Sequence, residues 1–322
     1  LVLCLTGQHA ESYVFAGHLD TVACGEASLW HSDPLSASLE GDILTARGAA
    51  DMKGGITAML LTLDYLVQQH ITPQSTLYFC FTADEEASGT GACAIAASGI
   101  LQKVQGVFIC EPSDGKIGIC EKGALWMRAT ASGRACHASR PELGANAIEA
   151  LILFLAKAHA LFNFAPHPLL GPATLAVTKM SGGVMTNIVP ASAEAELDLR
   201  LPPDTDFKAV LACLQSAATA AQAESDVSIL LETLNERAAL SVREDDPFVL
   251  SVMAAMRRFG LMPICRGILF FTDGTFLLPE LHAPFVILGP GDDRECHKAD
   301  EHASIHAVTA FAMLYTGFIL GE

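Results

Sequence analysis

The sequence has few basic residues, and that shortage argues against two kinds of partner. Its 322 residues contain 19 Lys and Arg against 36 Asp and Glu, which gives a formal net charge of -17. Binding to nucleic acid or to an anionic membrane surface needs clustered basic side chains, so we expect neither partner. A solvated acidic surface accounts for the charge.

Several sequence signals are also missing. The ten cysteines include no CxxC pair, so we expect reduced, mostly buried thiols in a cytoplasmic protein. No basic segment precedes an apolar stretch, so no signal peptide is predicted. The longest apolar helix candidate, residues 303–320, contains His306 and several small or polar residues, which favours a packed helix over a membrane span.

The first third of the chain alternates predicted strands with helical patterns. Apolar residues make up 51% of a chain long enough for two domains, so a sizeable core is possible. Short apolar runs predict strands at 12–17, 76–82 and 106–110, and the spacing of apolar residues predicts a helix over 56–67. This alternation predicts an α/β sheet with buried, mainly parallel strands.

The order of elements changes near residue 124. The pattern there predicts strands and helices in the order βαββαβ, which is typical of a ferredoxin-like module. The strands are 125–132, 175–181, 193–201 and 227–234, and the helices are 146–162 and 207–224. An α/β pattern resumes after 235, with a helix over 247–259 and a strand over 284–288. We therefore predict a domain of residues 123–234 inserted into a discontinuous domain of residues 1–122 and 235–322.

Histidine and acidic residues follow the predicted strands, at the sheet edge where α/β proteins bind ligands. His18 precedes Asp20 by two residues, which suits a metal-binding imidazole held by a carboxylate, although a strand-capping histidine also fits. Asp51 lies between glycines that permit a tight turn before the predicted helix. We expect Asp51 to be exposed there, and a simple helix cap would also explain it.

Three further positions complete the set. Asp84, Glu85 and Glu86 are consecutive carboxylates that repel one another, and either a bound cation or full solvation would relieve the repulsion. Glu111 ends a predicted strand, and His297 lies in a polar loop before the last helix. Each position says little alone, but their order along the chain is specific.

That order is HxD, a glycine-flanked Asp, an EE pair, a strand-end Glu and a late His, and it resembles the metal-site pattern of the M20 metallopeptidase family. The resemblance covers nearly the whole chain. It implies a zinc-aminopeptidase-like catalytic domain, with the inserted module as its lid and dimerisation domain. Family members usually carry several tens of residues before the HxD motif, whereas 17 precede it here, so we expect an N-terminal segment to be missing.

The resemblance implies two metal ions per chain, expected to be Zn²⁺, with Co²⁺ or Mn²⁺ able to substitute. His18 and Glu111 would bind one ion, and Glu86 and His297 would bind the other. Asp51 would bridge both.

The resemblance also implies catalytic roles. Asp20 would orient His18, and Glu85 would act as the general base. His137 would hydrogen-bond the developing oxyanion from the partner subunit of a homodimer built through the lids. A surface histidine on a lid loop is the other interpretation of His137.

Two lid residues, Asn187 and Arg200, resemble substrate-holding positions. Arg200 could grip a substrate carboxylate, and a strand-end salt bridge fits it nearly as well. Residues 272–275 resemble a substrate-side loop, with no individual roles assigned.

The function that the resemblance implies is removal of an N-acyl group from a small amino-acid substrate, as in succinyl-diaminopimelate desuccinylase. Acetylornithine deacetylase and a glutamate-type carboxypeptidase are the alternatives within the family, and peptide substrates fit the latter. Glu rather than Asp at position 111 resembles the deacylase and carboxypeptidase branch. A catalytically inactive binding protein is the alternative from another class, but the intact ligand set and Glu85 argue against it.

Overall fold

The structure is a computed structural model that describes residues 1–321. The chain divides into two compact units: Leu1–Glu121 with the residues from Ser241 onwards, and Lys122–Leu240. Within residues 1–321, no helix has both the length and the apolar character that crossing a bilayer requires.

The first unit begins with alternating strands and helices. Its elements up to residue 121 are β1 (Val2–Leu5), β2 (His9–His18), β3 (Ser38–Glu40), β4 (Ile43–Thr45), α1 (Gly54–Gln68), β5 (Ser75–Thr82), α2 (Thr90–Ser98), β6 (Val104–Pro112) and β7 (Ile117–Glu121). The three strands and the helix predicted in this part are confirmed. The structure adds β1, β3, β4, α2 and β7, which were not predicted.

The second unit has the predicted βαββαβ order, which is confirmed. Its elements are β8 (Gly123–Ser132), α3 (Ala147–Leu161), β9 (Thr174–Gly182), β10 (Ser192–Leu201), α4 (Phe207–Ser225) and β11 (Ser228–Arg237). The four strands form an antiparallel sheet in the order β11-β8-β10-β9, as a ferredoxin-like module requires. Along β10 buried residues alternate with more exposed ones, so one face of the sheet packs against the helices.

The chain then returns to the first unit. The remaining elements are β12 (Leu240–Ser241), α5 (Pro247–Arg258), β13 (Cys265–Ile268), α6 (Gly274–Leu281), β14 (Phe285–Gly289), β15 (His302–Ser304) and α7 (Ile305–Leu320). The predicted last helix began at 303, whereas Ala303 lies in β15, which pairs with β4.

The main sheet has the order β1-β5-β2-β6-β14-β7-β12, with β13 paired to β7. The pairs β5–β2, β2–β6 and β6–β14 are parallel, and β1 and β7 add antiparallel pairs, so the sheet is mixed. Phe15 of β2 stacks on Phe79 and Phe108 of the neighbouring strands at 5.2 and 4.7 Å between ring centroids. This core fixes the four parallel strands side by side, so their carboxyl ends meet at one edge.

Candidate metal centre

The edge at which β2, β5, β6 and β14 end carries the predicted metal ligands. His18 is the last residue of β2, and Glu85 and Glu86 follow the end of β5. Glu111 lies one residue before the end of β6, and His297 lies in the loop after β14. Parallel pairing therefore brings together residues that lie far apart in the sequence.

The first group consists of His18, Asp51 and Glu111, which we call the buried triad. His18 Nε2 lies 3.0 Å from Asp51 Oδ1 and 3.5 Å from Glu111 Oε1. One donor atom from each residue falls within 4.8 Å of the others. The side chains of His18 and Glu111 are only 1% and 4% exposed. An imidazole nitrogen and two carboxylates at this separation could hold one divalent ion.

The second group consists of Asp51, Glu86 and His297, which we call the exposed triad. His297 Nε2 lies 3.1 Å from Asp51 Oδ2 and 3.1 Å from Glu86 Oε2. The side chain of His297 is 52% exposed. Asp51 thus presents Oδ1 to the buried triad and Oδ2 to the exposed triad, which is the geometry that a bridging carboxylate needs.

The turn that carries Asp51 depends on its glycines. Gly48 has φ 82°, a backbone conformation that side chains with a Cβ rarely adopt. Gly55 lies against the carbonyl oxygen of Cys110, which a Cβ would approach to 2.0 Å. The Asp51–Met52 peptide bond is cis. The Asp51 side chain is 14% exposed, less than the sequence predicted, because it points between the two histidines rather than into solvent.

Asp20 holds two members of the centre. Its backbone carbonyl lies 3.0 Å from His18 Nδ1, while its carboxylate Oδ1 lies 3.7 Å from the same nitrogen. Its Oδ2 accepts a hydrogen bond from the backbone N–H of Glu86 at 3.2 Å. The nearest group that orients His18 is therefore the Asp20 carbonyl, a detail that the HxD motif alone could not reveal.

The ionisable groups of the buried triad are strongly perturbed. Burial, and then the charge of Asp51, raises the pKa of Glu111 to about 7. Burial lowers the pKa of His18, but Glu111 and the hydrogen bond to Asp51 outweigh it and raise that pKa to about 12. Among the described residues, Glu111 Oε2 is buried with no hydrogen-bond partner. A buried carboxylate oxygen that has no hydrogen-bond donor and lies beside other carboxylates fits a cation-binding site.

The shared ligand and the exposed histidine stabilise each other. Burial opposes ionisation of Asp51, but hydrogen bonds from His18 and His297 outweigh it and hold the pKa of the carboxyl below its usual value. Hydrogen bonds to Asp51 and Glu86 raise the pKa of His297 to about 10. Both histidines and the Asp51 carboxylate that lies between them therefore favour their charged forms.

The three consecutive carboxylates after β5 have different environments. Asp84 accepts hydrogen bonds from the hydroxyl and backbone N–H of Thr90 at the start of α2. Glu86 contacts His297. Glu85 is 6% exposed, and burial, followed by the charge of Glu111, raises the pKa of its carboxyl well above the usual value. The neighbouring pair therefore separates into one group in the exposed triad and one buried carboxyl.

Two sets of buried polar residues lie beside the centre, and the sequence did not predict their burial. Glu301 and Arg47 form a buried ion pair behind Asp51. Thr272 donates to Glu121 Oε2 at 2.8 Å, and Thr82 hydrogen-bonds Asp273. Residues 272–275 were predicted as a substrate-side loop, but nothing in the sequence shows that Glu121, Asp273 or Glu301 is buried.

The lid candidates lie in the second unit, and two of them are adjacent. The backbone N–H of Ala138 donates to the carbonyl of Asn187 at 2.9 Å. The backbones of His137 and Ile188 pair in a single antiparallel β-bridge. His137 and Asn187 are both exposed.

Arg200 is far from that pair. It lies near the end of β10 that pairs with Ala124, whereas His137 and Asn187 lie beyond the other end, near Ser192. Its guanidinium makes a two-point ion pair with Asp198, at 2.8 and 3.0 Å. The structure therefore shows Arg200 in a salt bridge, and its contact with substrate stays a prediction.

Comparisons with known proteins agree on one family. The profile of Peptidase family M20/M25/M40 matches residues 14–321. A "Probable succinyl-diaminopimelate desuccinylase" of Staphylococcus aureus is 27% identical over 92% of this chain and 79% of its own length. The structure of aminopeptidase PepT from Bacillus cereus superposes with a TM-score of 0.81 at 21% identity, covering 99% of this chain and 83% of that one. An M20 metallo-carboxypeptidase from Sulfolobus solfataricus gives 0.79 at 17% identity, covering 99% and 86%.

Proposed function

Because the chain belongs to the M20/M25/M40 peptidase family, whose members are metal-dependent hydrolases, we propose that it is a di-zinc amidohydrolase that removes an N-acyl group from a small amino-acid substrate. The observation that carries the proposal is Asp51, which offers one carboxylate oxygen to each triad. A bridging carboxylate between two three-residue ligand groups is expected of a two-metal hydrolase.

The ligand chemistry fits the proposed ions. His18, Asp51 and Glu111 would hold one ion, and Asp51, Glu86 and His297 the other. Imidazole and carboxylate groups suit Zn²⁺, and Co²⁺ or Mn²⁺ would substitute. Bound divalent ions supply Lewis-acid activation of water and of an amide carbonyl.

Glu85 would carry the proton transfers. As the water attacks the amide carbon, its proton passes to Glu85, and Glu85 then delivers a proton to the amide nitrogen as the C–N bond breaks. The second transfer is needed because an amine anion is a very poor leaving group. Burial raises the pKa of the Glu85 carboxyl, which supports a carboxylate that readily accepts a proton.

His137 is suited to donate to the oxyanion. The backbone N–H of Ser139 points at His137 Nδ1 at 3.2 Å, so that nitrogen acts as an acceptor. A neutral ring with an acceptor at Nδ1 carries its proton on Nε2, which is then a hydrogen-bond donor. A donor aimed at the developing oxyanion is worth a large part of the rate in acyl transfer.

The spread of the lid residues supports a homodimer. Arg200 lies eight positions after Ser192 in β10, which is roughly 25 Å at ~3.3 Å per residue. A small substrate that contacts His137 and Asn187 of one lid cannot contact Arg200 of the same lid. We therefore propose that His137 acts from the partner subunit. The edge strand β9, which exposes Val177 and Met180, is the surface proposed for lid pairing.

Mixed dimers test this arrangement. A chain with His137→Ala and a chain with Glu85→Gln are each expected to be nearly inactive. After subunit exchange, shown by the mass of the mixed dimer, roughly a quarter of all sites would have both groups intact if His137 acts across a two-fold interface. If exchange occurs and no activity returns, His137 does not act from the partner.

The substrate is proposed from the named relative. We expect N-succinyl diamino acids to be hydrolysed in preference to N-acetyl amino acids and peptides, because the Staphylococcus aureus relative is named a probable desuccinylase. A panel of N-succinyl, N-acetyl and dipeptide substrates, assayed with Zn²⁺ or Co²⁺, would rank them. Preference for N-acetylornithine or for peptides with a C-terminal glutamate would indicate a deacetylase or a carboxypeptidase instead. Loss of activity with chelator and its return with metal would exclude an inactive binding protein.

A further inference from the structure

Glu301 holds the backbone of the turn that presents Asp51. Its Oε1 accepts hydrogen bonds from the backbone N–H groups of Ala50 and Asp51, each at 3.0 Å. Glu301 is 0% exposed. Its carboxylate therefore grips the main chain of the shared ligand from inside the protein.

Arg47 balances the buried charge of Glu301. Arg47 Nη1 lies 2.5 Å from Glu301 Oε2, and both side chains are buried. The guanidinium also lies over the ring of Trp30, 5.0 Å from its centroid, and the Trp30 indole N–H donates to the carbonyl of Cys24 at 2.9 Å. A buried carboxylate needs a cation and hydrogen bonds of this kind. We call Trp30, Arg47 and Glu301 the Glu301 clamp.

We propose that the Glu301 clamp positions Asp51 so that its two carboxylate oxygens face the two triads at once, and that it thereby sets the affinity for both metal ions together. This inference rests on the proposed two-metal function. Glu301 is a positioning residue, because it acts through the backbone of Asp51. Asp51 belongs to both triads, so a change in the clamp should lower the affinity for both metal ions. Glu86 belongs to one triad, so its loss should lower the affinity for one ion only.

Calorimetric titration of the metal-free chain with Zn²⁺ tests the inference without relying on turnover. Glu301→Gln keeps the size of the side chain but removes the charge opposite Arg47. Outer partners of metal ligands typically change affinity by about 10–100-fold, so we expect a loss of that size at both ions. Glu86→Gln should weaken only one ion.

Asp293→Asn is the matched control. Asp293 pairs with Arg266 at 2.7 and 3.2 Å, a partly buried ion pair in the same unit, and Arg266 also donates to carbonyls of Ser113 and Gly267. The carboxylate of Asp293 binds Arg266, whereas that of Glu301 binds the backbone N–H groups of Ala50 and Asp51. Loss of the Asp293 pair should therefore leave both metal affinities within a few-fold of those of the original chain. A fall equal to that of Glu301→Gln would mean that any broken ion pair has this effect, and would overturn the inference.

Arg47→Lys keeps the test decisive if Glu301→Gln does not fold. Lys retains the charge but loses the planar fork and the contact with Trp30, so both ions should weaken, by less than with Glu301→Gln. Unchanged affinities, or loss at one ion only, would overturn the inference. If the unmodified chain bound fewer than two ions, the proposed function would fail. If it bound two and the clamp variants bound both equally well, only the inference would fail.

Discussion

The two triads use the same kinds of ligand but differ in their access to solvent. Each contains one histidine, one glutamate and the shared Asp51. His18 of the buried triad is 1% exposed, whereas His297 of the exposed triad is 52% exposed. Since water screens charges at a surface far more than in an interior, the same ligand set should behave as a fixed site on one side and an exchanging site on the other.

The largest effect should come from Glu85, which distinguishes chemistry from metal binding. Glu85→Gln should retain two ions and lose at least ~10²–10⁴-fold in kcat, because proton transfer by a positioned base contributes about that much. Its neighbour in the exposed triad, Glu86→Gln, should instead lower metal content. Steady-state kinetics at saturating metal, with metal content measured alongside, would check both. Near-normal turnover of Glu85→Gln would remove it from the role of base.

The two histidines should differ in their effect on the stability of the metal-free protein. His18→Ala leaves Glu111 buried beside Asp51 without its imidazolium partner, which should lower the free energy of unfolding by about 3–5 kcal/mol. His297→Ala removes a half-exposed histidine from Asp51 and Glu86, and because water reaches this ion pair the loss should be smaller, about 1 kcal/mol. Denaturant unfolding of both variants and the unmodified chain provides the measurement. Equal losses would show that exposure does not separate the triads.

The smallest effect expected is a difference in the order of metal release. During dialysis against a chelator, the ion of the exposed triad should leave first, because its histidine is open to solvent. Metal content would then fall in two phases, with an intermediate that holds one ion. Applied to Glu86→Gln, the same dialysis should show only the slow phase. A single phase for the unmodified chain would mean that the ions leave together.

Much of the fold could be predicted because buried residues recur at regular intervals along each strand and helix, and so apolar residues do as well. The strand predicted at 193–201 is β10 with one residue more, since its apolar residues alternate toward one face. The short helix α2 was missed because Thr90–Ser98 is mostly small residues without an apolar stripe. Strands β7 and β13 were missed because they are short and wholly or partly enclosed by neighbours far along the chain.

The candidate ligands could be predicted because their motifs combine spacing with residue type, but their surroundings could not. Glu301 follows the His297 motif and looks like a solvated loop residue in the sequence. Its burial depends on Arg47, 254 positions earlier. Arg200 shows the opposite case, since the sequence offered a substrate grip and a salt bridge, and only the position of Asp198 two residues earlier in the folded strand shows the salt bridge.

The strands that open and close the second unit are neighbours in its sheet. Ala124 of β8 pairs with Arg237 of β11, so the chain enters and leaves this unit at adjacent points although the two residues lie 113 positions apart. Gly123 lies so close to the carbonyl of Arg237 that an added Cβ would approach it to 2.4 Å. The second unit therefore interrupts the first as a long insertion whose two ends lie side by side, so little loop-closure entropy is needed to bring its ends together. An insertion whose ends lie this close together needs only two neighbouring attachment points in the unit that carries the triads, which is why such insertions are tolerated.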